Sequence, residues 1–177
     1  MQYAIELFYD AETEKQIFAL AQKISDANLS TKFLDFKTRP HLALACFNDV
    51  DETKCRELLS IFADSHKTLP AHIGSIGMFT DTKTIFLSPI MTKSMYQFQG
   101  ELHEAMKDFD STGWEWYSPD RWVPHCTVAL TGEDADEVFY EASNLVLHEF
   151  NKLSGKYVSI GLVKVTDRKS TRLNSSH

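Results

Sequence analysis

The chain has 177 residues, a net charge of −7, 43% apolar and 12% aromatic residues. This length and composition fit one domain able to bury a sizeable core, and they exclude a disordered chain. The negative balance argues against coating of long nucleic acid, which needs clustered Lys and Arg to displace counterions, but it leaves room for a small nucleotide or a single RNA end.

In chain order, Gln2 to Phe8 (QYAIELF) is short, mostly apolar and aromatic, and predicts a strand. Asp10 is placed to cap a helix whose apolar positions are Ile17, Leu20, Ala21 and Ile24. His41 to Phe47 predicts a second strand, started by Pro40. Asp51 to about Lys67 predicts a helix with Cys55, Leu58, Leu59 and Phe62 on one face. Ala71–Phe79 and Thr84–Leu87 predict a hairpin around the polar turn from Thr80 to Lys83. Thr92 opens a helix burying Met95, Phe98, Leu102, Ala105, Met106 and Phe109. A long aromatic loop runs from Asp110 to Pro124, and His125 to Leu130 predicts a strand. A helix within 132–150 uses Val138, Ala142, Leu145 and Val146, and Lys156 to Val165 predicts the last strand.

Two segments recur in this order. PHLALA spans Pro40 to Ala45 and PHCTVA spans Pro124 to Ala129. Ser75-Ile76-Gly77 is matched by Ser159-Ile160-Gly161, and both pairs are 84 positions apart. The agreement predicts a duplicated α+β unit, whose pseudo-twofold symmetry can set equivalent residues face to face.

Positions i and i+2 share a face of a strand, so His41 lies with Ala43, and His125 with Thr127. A histidine on an apolar strand is ordinarily a packed or surface residue. A repeated pair is different, because two imidazoles flanking one substrate can accept one proton and donate another. Such a pair suits in-line displacement at phosphorus, with the Thr127 hydroxyl donating to a phosphoryl oxygen. Arg39, two residues before His41, could grip phosphate by its guanidinium fork or simply be solvated. In the aromatic loop, Tyr117 and Trp122 are candidates to stack on a base, whereas Trp114 and Trp116 are read as packing the loop down. His66, His72, His103 and His148 have no repeated counterpart and are read as structural. No metal-binding spacing and no glycine-rich phosphate loop occur, so neither metal nor ATP-dependent chemistry is expected.

The PHLALA and PHCTVA motifs, the SIG strands and the WVPHCTVA block resemble the 2H phosphoesterase superfamily, and within it the 2′-5′ RNA ligase-like branch. The resemblance reaches about Thr166. It implies an α+β fold of two lobes, with two antiparallel sheets lining a central cleft and helices outside. It also implies no metal or cofactor, and cyclic phosphodiesterase or RNA end-processing chemistry. His41 and His125 match the motif histidines and Thr127 the motif hydroxyl. Ala43 departs from the pattern, which has Thr or Ser there, so only its backbone or position could serve the phosphate.

The expected activity is therefore metal-independent opening of 2′,3′-cyclic phosphates or 2′-5′ linkages in RNA ends or small nucleotides. The alternative is a nucleotide- or RNA-end-binding module left catalytically weak by Ala43. A third reading is a symmetric structural domain with buried histidines. A monomer without a membrane partner is expected. The N-terminus lacks a secretory signal and three cysteines lack metal spacing, so a cytoplasmic protein with reduced thiols is expected. Residues 1–166 are read as one domain. Residues 167–177 (DRKSTRLNSSH) resemble a translated sequencing adapter and are read as an artefactual tail, leaving Lys156–Val165 short of one hydrogen-bonded neighbour and exposed as an edge.

Overall fold

The computed structural model describes residues 2–132, 135–166 and 169–173, with Thr166 and the last five by backbone alone. Strand β1 (Gln2–Tyr9) gives way at Asp10, whose carboxylate accepts the Thr13 amide and starts α1 (Ala11–Asp26). Asp51 does the same for the Lys54 amide at α3 (Glu52–Asp64), and Thr92 for the Met95 amide at α4 (Lys93–Ala105). Each cap satisfies a helix N–H that has no partner inside its helix. The buried faces follow the apolar periodicity. Ile17, Leu20, Ala21 and Ile24 are buried on α1, Cys55, Leu59 and Phe62 on α3, and Met95, Phe98 and Leu102 on α4. Helix α5 (Asp136–Glu149) buries Phe139, Ala142, Ser143 and Val146, a stripe rotated from the expected one, which leaves Val138 and Leu145 half-buried. A short helix α2 (Lys32–Asp35) follows α1. The aromatic loop carries two 3₁₀ turns, Lys107–Thr112 and Glu115–Tyr117.

The remaining strands are β2 (His41–Phe47), β3 (Leu69–Phe79), β4 (Thr84–Pro89), β5 (Cys126–Leu130), β6 (Leu153–Thr166) and β7 (Lys169–Leu173). The α+β class is as expected. The two antiparallel sheets are hydrogen-bonded into one, in the order β2-β1-β6-β3-β4-β5, with β7 paired to β6. The join is made by β6, which is 14 residues long. Its start pairs with β3 and the rest with β1. The order reads the same from either end when β1, β2 and β3 are exchanged for β4, β5 and β6. Each half thus runs strand–helix–strand–helix–strand, and the symmetry axis passes between β6 and β3.

The expectation of an exposed edge at Lys156–Val165 is corrected for its C-terminal part, from Leu162 onward. Lys169–Leu173 pairs with Leu162–Thr166, so part of the segment read as lying outside the fold adds a strand to it. The other residues of 167–177 lie outside the described residues. No helix among the described residues is long and apolar enough to cross a membrane.

Candidate active site

Strands β2 and β5 lie at opposite ends of the hydrogen-bonded path, yet they come into contact with each other. The sheet therefore curls until its two edges meet, and these edges carry the two PHxxxA motifs. The register shows how closely the lobes correspond. On one side Phe8 faces His41, Leu7 faces Leu42 and Glu6 faces Ala43. On the other, Leu87 faces Cys126 and Phe86 faces Thr127. The SIG glycines complete the match, with Gly161 opposite Glu6 and Gly77 opposite Phe86. Each β1–β2 or β4–β5 pair is interrupted by an irregularity at the same place, between Ile5 and Glu6 and between Ile85 and Phe86. Such bulges bend a strand and re-aim the side chains beyond them.

Both motif histidines are half-buried, and each is held in the same way. Nδ1 of His41 lies 2.8 Å from the carbonyl of Arg39, and Nδ1 of His125 lies 2.7 Å from the carbonyl of Val123. A carbonyl can only accept, so each Nδ1 carries the proton and each Nε2 is left to take up or release another. The rings belong to one electrostatic unit. The Cys126 thiol is hydrogen-bonded to the His41 backbone, and the charge of His41 acts on His125. Burial lowers the pKa of His125 from its usual 6.5, with the Val123 carbonyl opposing and His41 adding.

The surroundings of the two rings differ. His125 stands among aromatic rings, with centroids 4.9 Å from Phe79, 5.4 Å from Phe86 and 6.4 Å from Tyr117. His41 has its Nε2 3.5 Å from the carboxylate of Glu6, a residue that is 5% exposed. Glu6 and Phe86 occupy equivalent places in the two lobes. The Phe86 ring fits only because residue 77 is glycine, since a Cβ there would stand 2.2 Å from it.

The structure redistributes the other sequence candidates. Thr127 is half-buried on β5, two residues after His125, which stands just before the strand rather than opening it. Ala43 is buried, and its carbonyl accepts the Trp122 indole N–H at 3.0 Å. Trp122, proposed to stack on a base, is only 7% exposed; it is a strut between the second motif and the first, which corrects that expectation. Arg39 is also corrected. Its Nε donates to Glu14 at 2.6 Å, its Nη2 pairs with the same carboxylate, and its guanidinium lies over the Phe8 ring. The fork is thus occupied, and the contribution of Arg39 to the site is the carbonyl that holds His41. Tyr117 remains at the site, lining with His125 a cavity of about 440 Å³ whose wall includes Phe79, Trp116 and Arg121. Trp116, expected to pack the loop down, is 69% exposed at this cavity, with Arg121 over its ring.

Glu6 and the two phenylalanines were not anticipated. The signal for Glu6 was a lone acid in an otherwise apolar strand, QYAIELF. The partner that explains it, His41, is distant in sequence. Cys46, Cys55 and Cys126 are free thiols whose pKa values burial pushes up to about 12, 11 and 12. Among the described residues no three or more His, Cys, Asp or Glu side chains gather as metal ligands would.

A duplicated α+β sheet that brings one motif histidine from each lobe to a shared seam is the architecture of a 2H phosphoesterase. The chain belongs to the 2′-5′ RNA ligase superfamily, whose family model matches residues 12–164. Similar solved structures include LigT of E. coli complexed with 3′-AMP, 16% identical over 98% of this chain and 95% of that one, with a TM-score of 0.60. LigT complexed with NADP+ is 15% identical over 98% and 94%, also at 0.60. A structure described as a phosphoesterase is 16% identical over 97% and 92%, at 0.58. These likenesses establish a common fold. No curated protein matches the sequence. Membership of this generally enzymatic superfamily supports a phosphodiesterase of the 2H type.

Proposed function

We propose that the protein cleaves 2′,3′-cyclic phosphates or 2′-5′ linkages at RNA ends or in small nucleotides, with His41 and His125 as the acid–base pair. The observation that carries this reading is the equivalent tethering of the two Nδ1 atoms at the meeting edges of the sheet. In hydrolysis of a cyclic phosphate, one neutral imidazole takes a proton from water as its oxygen bonds to phosphorus. The opposite P–O bond breaks, and the other ring, entering as imidazolium, gives its Nε2 proton to the departing ribose oxygen. The hydroxyl of Thr127 donates to the phosphoryl oxygen that gains charge. The cavity beside His125 takes the base, with Tyr117 and Trp116 as the stacking faces in place of Trp122.

The test is turnover of a nucleoside 2′,3′-cyclic phosphate in EDTA by the wild type, His41→Ala and His125→Ala. Each substitution is expected to lower kcat by ~10²–10⁴-fold while leaving the melting temperature near that of the wild type. Equal rates in the three proteins would end the reading. The absence of a hydroxyl at Ala43 favours the second reading, a nucleotide-binding module. Tight nucleotide binding without turnover is the result that selects it.

A further inference from the structure

The two lobes share their strand pairing but differ at equivalent positions beside the histidines, Ala43 against Thr127 and Glu6 against Phe86. The spot held by Phe86 beneath His125 is held by Glu6 beneath His41. A buried carboxylate on an otherwise apolar strand is costly to keep, so its position relative to the neighbouring base carries information.

Resting on the phosphodiesterase reading above, we propose that Glu6 is a positioning residue that breaks the symmetry of the pair, making His41 the general acid and His125 the general base. The argument is geometric. Nδ1 of His41 is already committed to the Arg39 carbonyl, so a second proton on that ring can sit only on Nε2. Nε2 is the atom that Glu6 approaches to 3.5 Å. An anion there stabilises the imidazolium. At 3.5 Å the carboxylate is too distant to hold the proton in a strong hydrogen bond, so the proton stays available to the leaving oxygen. Around His125 the equivalent space is filled by the Phe86 ring, with Phe79 and Tyr117 close by, and Phe86 supplies no anion where the first lobe has Glu6. The direction of the His125 shift, downward through burial, agrees with a ring kept neutral to act as base.

Other titratable and charged groups near the pair do not reverse this polarity. Arg39 is paired with Glu14, which neutralises both. The Cys46 and Cys126 thiols and the Tyr117 phenol are all raised and uncharged at neutral pH, chiefly by burial, with the Glu6 charge adding in each case. The Glu6 charge is therefore felt across the seam as well as at His41.

The decisive experiment is the pH–rate profile of Glu6→Gln, an isosteric change, beside the wild type. The acid must be protonated, so loss of the anion beside it should move the basic limb to lower pH while the acidic limb set by His125 stays in place. At the wild-type basic shoulder the rate falls accordingly. Glu6→Asp, which withdraws the carboxylate by one methylene, should give an intermediate profile, and it serves if the glutamine variant folds poorly. Two unmoved limbs, or movement of the acidic limb instead, would overturn the assignment. Imidazole NMR titrations of the same proteins decide the matter without turnover. The His41 resonance should shift its midpoint downward in Glu6→Gln, whereas an unmoved His41 midpoint would refute the role of Glu6. If the wild type shows no turnover but its His41 midpoint responds, the phosphodiesterase reading fails and the pairing of Glu6 with His41 stands.

Discussion

Trp122 makes the most exacting test of how the two motifs are held together. It lies three residues before His125, and its indole N–H reaches the carbonyl of Ala43, two residues after His41. Strand β2 is a sheet edge, so its outward carbonyls depend on partners from the other half of the chain. Leu44 receives the Gln99 amide and His103, Cys46 receives the Trp114 amide, and Ala43 receives Trp122. Trp122→Phe keeps an aromatic ring and deletes the N–H. A buried carbonyl that loses its donor costs ~1–3 kcal/mol. At ~2–4 °C per kcal/mol for a domain of this size, the melting temperature should fall by ~2–12 °C. The catalytic effect follows from placement, because a shift of about 1 Å between reacting groups can cost ~10²-fold. A drop of roughly tenfold or more in kcat is expected for a fraction of that shift, with KM little changed, since Tyr117 and Trp116 are untouched. Thermal melting and steady-state turnover of a cyclic phosphate measure both. A variant that melts with the wild type and keeps its kcat would refute the idea that this bond sets the spacing of the pair.

Three further outcomes are expected. Gly77→Ala puts a Cβ 2.2 Å from the Phe86 ring, which must move. Stability should fall by ~1–3 kcal/mol, and the acidic limb of the rate profile should rise towards the ordinary histidine value of 6.5 as water regains His125. Trp116→Ala should raise KM for a nucleotide by roughly tenfold, through lost stacking of ~1–3 kcal/mol, without altering the melting temperature, because the side chain is largely solvent-exposed. The lowered pKa of His125 also sets a pH dependence of folding. Its stabilising contribution is present above the unfolded value near 6.5 and is lost as pH falls towards the folded one. Urea denaturation at pH 7.5 and pH 5 should show a smaller loss in His125→Gln than in the wild type, and equal losses would contradict this account.

Much of the fold could be read from local pattern. Asp10, Asp51 and Thr92 are caps because short polar side chains precede apolar helical stripes, a relation contained within three or four residues. The two motifs could be read because duplication writes the same hexapeptide twice. What escaped depends on contacts far apart in sequence. Trp122 looked like a stacking face because nothing local announces that Ala43, 79 residues earlier, offers it a carbonyl. Arg39 looked like a phosphate ligand because its partner Glu14 is 25 residues away on α1. Trp116 looked like packing because an exposed tryptophan and a buried one have the same local pattern. Lys169–Leu173 resembles an adapter-derived tail in sequence, and it has no apolar alternation to mark the strand it adds beside β6.

The departure at Ala43 and the presence of Glu6 belong together. The two residues face each other across β1 and β2, as Phe86 and Thr127 do across β4 and β5. Directly opposed side chains share one face at contact distance. A hydroxyl at position 43 would thus find a carboxylate to donate to before it found a phosphoryl oxygen, whereas the hydroxyl of Thr127 has a hydrocarbon ring opposite it. The first lobe can keep either an anion for its histidine or a second hydroxyl for the phosphate. Ala43→Thr alone should therefore leave kcat within about threefold of the wild type, far short of the ~10²–10³-fold worth of a well-placed donor. Combined with Glu6→Gln, the same substitution should have a different effect on the rate from its effect alone. A double-mutant cycle on kcat/KM should return a coupling of about 0.5–3 kcal/mol between the two sites. Strict additivity would show that the two side chains do not compete for one space, and the loss of the hydroxyl would then need a separate cause.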